Sequence, residues 1–367
     1  MTSFNLILPE LNDFITTMGH PDKKSLIITF FTITALISRP FSGKLSDTIG
    51  RKKVMYIGMG VAFIVSILYP LFGYVSLFLF LRLMHGFSAG FLPTGATALV
   101  TDILPSEKRG VGMGIWGVFI SLGFGLQPLG SIIREEFGMN TLFFVSAFFA
   151  VLSGILISFL KETLSNPVKF KWSLLKIKWN DIFEPSVIPA GIVMFLSAFC
   201  SGVVLVVTPD MSGFFEIDNK GWFFGFYAFS TIFIRLFASG LSDNIGRRKT
   251  LIFGLSMMII CMTLVALSSE WKLYTAAAIM FGVSTGISSP TLMAWTADLS
   301  HIDRRGVGAG TLFIALEFGV MFGSLSTMLT YDSTSTTIPT TFSVAAIMAI
   351  TGISYLIWHL KYRESKT

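Results

Sequence analysis

Twelve apolar stretches of about 20 residues follow one another along the chain, each close to the length a helix needs to cross a bilayer. They lie near 1–17, 24–46, 53–73, 76–100, 109–133, 140–160, 186–209, 221–242, 249–268, 272–295, 306–330 and 338–360, separated mostly by short polar turns. Inside hydrocarbon every backbone N–H and C=O must be paired within a helix or a closed barrel. Barrel strands would alternate polar and apolar residues, whereas these runs are apolar on all sides. The expected class is therefore an all-α membrane protein with twelve transmembrane helices. Composition agrees, because only 13% of the 367 residues are charged and mean hydropathy is +0.73, against about 25% charged residues in soluble domains.

A net charge of +6 raises the question of a nucleic-acid partner, and the placement of the charges excludes it. Of the 27 Lys and Arg, 19 fall in alternate loops, five in the opposite loops (Lys23, Lys24, Arg134, Lys220, Lys272) and three inside spans. By the positive-inside rule the basic loops face the cytoplasm. The expectation is a multi-pass protein of the cytoplasmic (inner) membrane with both termini cytoplasmic. Cys200 and Cys261 each lie within an apolar run, away from clustered His, so neither a disulfide nor a metal site is expected, and no cofactor motif is present.

Shifting the sequence by 196 residues superimposes it on itself. Arg39 falls on Arg235, Asp47 on Asp243, Gly50 on Gly246, Gly86 on Gly282, Gly90 on Gly286, Asp102 on Asp298 and Arg109 on Arg305. A single register held over about 75 residues implies two six-helix halves of like orientation, 1–161 and 186–367, joined by a basic and aromatic linker at 162–185. The linker is expected either to lie along the cytoplasmic membrane surface or to form a solvated tether. "LILPELND" also aligns with "VVTPDMSG", pairing Pro9 with Pro209 and Glu10 with Asp210. The seventh span begins near 186, so its counterpart would begin about fourteen residues before Met1, and a truncated first helix is expected.

The duplicated phrase is "GKLSDTIGRKK" at 43–53, answered by "GLSDNIGRRK" at 240–249. Asp47 stands at a helix C-terminus, where the macrodipole disfavours a carboxylate. Arg51 can compensate it, or the N–H groups at the start of another helix can receive it. Gly50 would permit the turn and Gly43 a close backbone approach. With twelve spans, a parallel repeat and a basic central loop, this phrase resembles the signature of the major facilitator superfamily (MFS). Gly43, Leu45, Asp47, Gly50, Arg51, Lys52 and Lys53 match it, while Thr48 departs from it; in the second copy Ser239 replaces the first glycine. The resemblance implies two six-helix bundles around a central cavity. It also implies a loop that clasps the halves when the site faces outward. Asp47 with Arg51, and Asp243 with Arg247 beside Gly246, would then be breakable latches, with Arg39 and Arg235 reaching Asp102 and Asp298.

Ionisable groups at bilayer depth are functional hypotheses by default. "RLMHG" places Arg82 and His85 one turn apart on the fourth span and resembles a family signature, which implies anion binding or proton transfer at Arg82. His85 could exchange a proton itself or be a neutral, hydrogen-bonded imidazole. Glu317 lies mid-way along the eleventh span where the register of the other half has Ser121, so the repeat does not require it. Proton binding, pairing with a cationic substrate, or a structural hydrogen bond are its open roles. On the fifth span "GFGLQPLG", with Gly123, Gln127, Pro128 and Gly130, resembles the signature of exporters that exchange substrate for protons, although Gln127 stands in place of a glycine.

The reading these features favour is a monomeric secondary transporter with a small-molecule substrate, protons and membrane lipids as its partners, working by alternating access as a proton-coupled exporter. Uptake of a sugar or other metabolite, or a non-transporting sensor on the same scaffold, are the alternatives. No nucleotide loop accompanies "RGVGMG" or "RGVGAG", and no catalytic constellation indicates an enzyme.

Overall fold

A computed structural model describes residues 2–71, 73–103, 109–178, 182–238, 241–300 and 305–364. Its regular structure is helical throughout those residues. The first span is short and composite, with α1 (Thr2–Ile7) and α2 (Leu11–Thr17) joined by a tighter turn at Leu8–Glu10, where Pro9 supplies no N–H to an α-helical ladder. Next come α3 (Lys24–Ile49), α4 (Arg51–Leu68), α5 (Val75–Ile103), α6 (Arg109–Gly125) and α7 (Gln127–Phe159). The later part of the chain forms α8 (Ile188–Phe214), α9 (Trp222–Ala238), α10 (Leu241–Ile245), α11 (Arg247–Ala266), α12 (Trp271–Leu299), α13 (Arg305–Thr330) and α14 (Ile338–Glu364).

One apolar helical stretch, Ile115–Phe159, runs for 45 residues. At 1.5 Å per residue that is about twice the thickness of a bilayer, so it must contain two crossings. The break falls at Gly138, whose φ of 84° and ψ of 167° lie outside helical space, and it separates the fifth and sixth expected spans. The fifth span is itself interrupted between α6 and α7, where Pro128 opens a new helical segment.

The register seen in the sequence reappears in the packing. α3 packs on α5, and α9 on α12. In the first pair a Cβ on Gly86 would overlap the carbonyl of Phe31; in the second a Cβ on Gly282 would overlap that of Tyr227, which stands 196 residues after Phe31. One turn further, Gly90 faces Ser38 and Gly286 faces Ile234, again register mates. Glycine is needed at these points because two helix backbones approach closely without a hydrophobic drive between them. Gly43 differs from the expectation, since a Cβ there would meet nothing within 4 Å. It allows no close approach in this arrangement, because Gly43 lies off the packed side of α3, which at this level is formed by the buried Ser42, Leu45 and Ser46.

Two seams join the halves, α3 against α13 and α6 against α9. The linker is tied down rather than free. Val168 N–H donates to the Thr48 carbonyl (2.9 Å), and Leu174 and Leu175 pack against the buried cluster of Leu45, Ile49, Val54 and Phe91. Trp172 stays 80% exposed. Trp179, in the same segment, lies outside the described residues, as do Ser239 and Gly240 and the side chains of Gly110, Gly112, Gly114 and Arg305.

Candidate functional site

At the end of the bundle that carries the basic loops, two arginines each gather two carboxylates. Arg51 opens α4 and ion-pairs with Asp47 at the close of α3; its Nε reaches Asp102 Oδ2 on α5 at 3.1 Å. Arg247 repeats this at the start of α11, pairing with Asp243 of α10 and, through Nε, with Asp298 Oδ2 of α12 at 2.9 Å. The serine before each first aspartate, Ser46 and Ser242, is also within reach of the guanidinium. Each triad pins three consecutive spans of its own half. None of these contacts crosses to the other half.

The turns into these arginines need glycine. Gly50 has φ 120° and Gly246 φ 89°, backbone that residues with a Cβ rarely adopt. The N–H groups opening α4 are taken by a carboxylate, as the macrodipole favours, but it is that of Glu162 and not of Asp47. Glu162 accepts from the N–H of Arg51 (3.0 Å) and Lys52 (3.1 Å), and its Oε2 fills the space a Cβ on Gly50 would occupy. Partial burial would raise its carboxyl, but backbone donors at Leu164, Arg51, Lys52 and Thr163 outweigh this and hold it below its ordinary value. The sequence signal was slight: a basic helix start with no side-chain cap of its own, and an acid just after the sixth span.

Arg39 and Arg235 do not reach Asp102 and Asp298, whose carboxylates are already held by Arg51 and Arg247. Instead each crosses between the halves. Arg39 Nη2 on α3 ion-pairs with Glu317 Oε1 on α13 at 2.9 Å, with 11% and 7% of the two side chains exposed. Its Nη1 donates to Thr94 Oγ1 (3.3 Å), and the guanidinium lies over the Phe313 ring (4.8 Å). Arg235 on α9 donates to the Gly117 carbonyl and to Ser121 Oγ (3.2 Å) on α6. Since Ser121 and Glu317 are register mates, as are Arg39 and Arg235, one contact is made twice, once with an acid and once without. Arg39 lies ten residues before the end of α3, about 15 Å of helix.

At the opposite end the halves are sealed by a network that sequence reasoning does not assemble. Asp210 of α8 accepts from Lys24 Nζ (2.6 Å), Asn12 Nδ2 (3.1 Å) and Tyr331 Oη (3.0 Å). Lys220, the register mate of Lys24, reaches Asp13 Oδ1 at 3.7 Å in the reverse direction. Glu10, the partner of Asp210 in the proline alignment, is fully buried and accepts from Ser131 Oγ (2.6 Å) and Arg134 (3.0 Å). The alignment of Glu10 with Asp210 and the register of Lys24 with Lys220 were the available clues.

Between the seal and the two arginines the seams are tight. Thr29 and Ser324 bond across α3 and α13 (2.8 Å). On the other seam Gly221 and Gly225 lie against Pro128, and Asn219 Nδ2 donates to the Pro128 carbonyl (3.0 Å). Gly130 admits the Leu6 carbonyl, Gln127 is buried with its amide 3.5 Å from Asn5 Oδ1, and Gly123 is buried. The "GFGLQPLG" stretch thus does two things: it bends the fifth span and bears on both α1 and α9.

Arg82 and His85 are both fully buried within the first half. His85 Nδ1 bonds Tyr69 Oη (3.1 Å); Arg82 Nε donates to the Ile27 carbonyl (3.2 Å), and its guanidinium lies 4.7 Å from the Phe31 ring centre. Among the described residues no carboxylate lies within ion-pair distance of Arg82.

Comparison with known proteins adds the family. The family model described as Major Facilitator Superfamily matches residues 1–218 and 190–367. Multidrug resistance protein 2 of Bacillus subtilis is 29% identical over 231 residues, 60% of this chain and 55% of that protein, so the match spans little more than half of that relative. The multi-drug resistance efflux pump PmrA of Streptococcus pneumoniae is 28% identical over 315 residues, covering 80% of this chain and 76% of its own. Quinolone resistance protein NorA of Staphylococcus aureus is 24% identical over 340 residues, 89% and 86%. The crystal structure of the human organic anion transporter MFSD10 superimposes with a TM-score of 0.73 over 97% of this chain and 95% of that one, at 18% identity, and so shares the fold.

Proposed function

The chain belongs to the Major Facilitator Superfamily, a transporter family of multi-pass membrane proteins, and from that premise we propose that it is a proton-coupled exporter of small amphipathic compounds, working by alternating access in the cytoplasmic membrane. The observation that carries the proposal is the Arg39–Glu317 pair, an ion pair between the halves well inside the membrane. Export as the direction is supported by the relatives named as multidrug efflux pumps and by the bent fifth span at Pro128. The basic loops and both termini are assigned to the cytoplasm.

On this reading the arrangement described is closed on the outer face, by Asp210 with Lys24 and by Asp13 with Lys220. Opening outward requires α3 to part from α13, and Arg39 then has to leave Glu317. Separating two nearly buried charges costs several kcal/mol unless one is neutralised or re-paired. A proton on Glu317 neutralises one; a cationic group of a substrate at the same carboxylate replaces the other. Because the two ligands exclude each other at one acid, either can release the seam but not both together, which is the minimum exchange requires. The Asp47–Arg51–Asp102 and Asp243–Arg247–Asp298 triads, closed within their own halves here, hold three spans of each half together as the halves move.

Inside-out membrane vesicles carrying the protein should accumulate a fluorescent cationic dye when their interior is acidified, and should not when the gradient is collapsed. Glu317→Gln should lose the pH dependence while inserting normally. Retention of both uptake and pH dependence by that variant would remove Glu317 as the coupling group.

A further inference from the structure

The two arginines that mark the middle of the seams are register mates, yet only one has a counter-charge. Arg39 has Glu317; Arg235, in the equivalent place, has a backbone carbonyl and the Ser121 hydroxyl. Among the described residues no carboxylate lies within 4 Å of Arg235, and its buried Nε, like that of Arg39, has no partner. A guanidinium presents five donors in a planar fork suited to a carboxylate, and a charge at this depth is retained only with compensation or a use. The surroundings continue in apolar fashion toward the outer seal. Phe124, one turn from Ser121, meets Tyr227 edge-on (5.6 Å between ring centres), and Tyr227 lies two turns from Arg235 on α9. Among the described residues, Arg235 makes the innermost polar contact of the α6–α9 seam.

We propose that Arg235, with Ser121 beside it, is an anion-binding site of the transport pathway that takes the carboxylate of an amphipathic aromatic monoanion, its ring lying toward Phe124 and Tyr227. The bound carboxylate fills the role that Glu317 fills for Arg39, at the level where the register places Ser121 in the position of that glutamate. The protein then carries one cation-selective and one anion-selective place at mirror positions: Glu317, which a proton or cationic group can address, and Arg235, which an anionic group can. This deepens the exporter reading and rests on it for the word pathway, but the site itself is tested by binding alone.

The test is isothermal titration of the purified full-length chain with 1-naphthoate and, in parallel, with the neutral isostere 1-naphthamide. Naphthoate is expected to bind at least tenfold more tightly. Arg235→Gln should remove that preference, leaving naphthoate and naphthamide with affinities within about twofold of each other. Ser121→Glu, which rebuilds the arrangement of the other seam and supplies the missing counter-charge, should also remove it, and is the deciding variant if Arg235→Gln does not fold. Chloride competing with naphthoate in the parent and not in Ser121→Glu would keep the site and make a free inorganic anion a second source of its ligand. Equal binding of naphthoate and naphthamide by the parent, or a preference that survives Ser121→Glu, would overturn the proposal. Dye accumulation in acidified vesicles reports the exporter reading separately, so that loss of one leaves the other standing.

Discussion

Replacing Asp210 by asparagine should open the outer face, and the structure gives the size of the effect. Lys24 Nζ lies 2.6 Å from Asp210 Oδ2, with only 10% and 7% of the two side chains exposed. Removing one partner of a buried pair costs about 3–5 kcal/mol, because the other charge is left uncompensated. An amide at this position still accepts from Tyr331 Oη, so the low end, about 3 kcal/mol, is the reasonable figure. In the open arrangement Lys24 is hydrated and the penalty disappears, so the closed state alone is destabilised. At 1.4 kcal/mol per factor of ten, the open population should rise about 100-fold. A cysteine in place of Thr29, a residue 2% exposed in the α3–α13 seam, reads this out through its labelling rate with a membrane-impermeant maleimide applied to intact cells. Cys200 and Cys261 are fully buried and should contribute little background. A rate within twofold of the parent's, with normal protein levels, would mean that Asp210 does not hold the outer face closed.

Gly50→Ala should lower thermal stability more than Gly246→Ala. Both force a side chain into positive-φ backbone, at about 1–3 kcal/mol, but only at residue 50 does the new Cβ collide with a partner, the Glu162 carboxylate, whereas at 246 nothing lies within 4 Å. Equal losses in a melting assay would show that Glu162 plays no part in closing α4. Because the carboxyl of Glu162 is held below its ordinary 4.5, the stability it contributes is complete above that value and drains away as pH falls through the lowered one. Glu162→Gln should therefore weaken the protein at neutral pH and flatten the acid limb of its stability profile, and an unchanged limb would contradict this. Gly43→Ala should leave the melting temperature equal or slightly higher, since Ala favours helix and has open space there, while Gly86→Ala should destabilise by overlapping the Phe31 carbonyl. The reverse order would mean that the packing of α3 has been misassigned.

Most of the architecture was legible because a bilayer makes length and hydropathy decisive, and because the chain repeats itself. Even the break at Gly138 fell inside the turn expected between 133 and 140. The register paired Gly86 with Gly282 without saying that they are close approaches; the one close approach expected, at Gly43, is not made, because an aligned glycine does not reveal which way it faces. Partners of charged groups were much less legible. Asp47 and Arg51 are four residues apart, and a helix-end turn brings them together whatever the rest of the fold does. Arg39 and Asp102 lie on different spans, and their depth could be judged only to within a turn or two, which is enough to exchange Arg51 for Arg39 as the partner of Asp102. Glu317 escaped assignment for a different reason. Its partner belongs to the other half, and a repeat within one chain aligns each half with its copy without saying how the copies face one another. Once Arg39 is known to meet Glu317, the twofold relation fixes where Arg235 must look, and Ser121 is there, 3.2 Å away. Duplication supplies both arginines, whereas among the described residues the acid stands on one seam only, and that asymmetry lets two seams of common origin address charges of opposite sign.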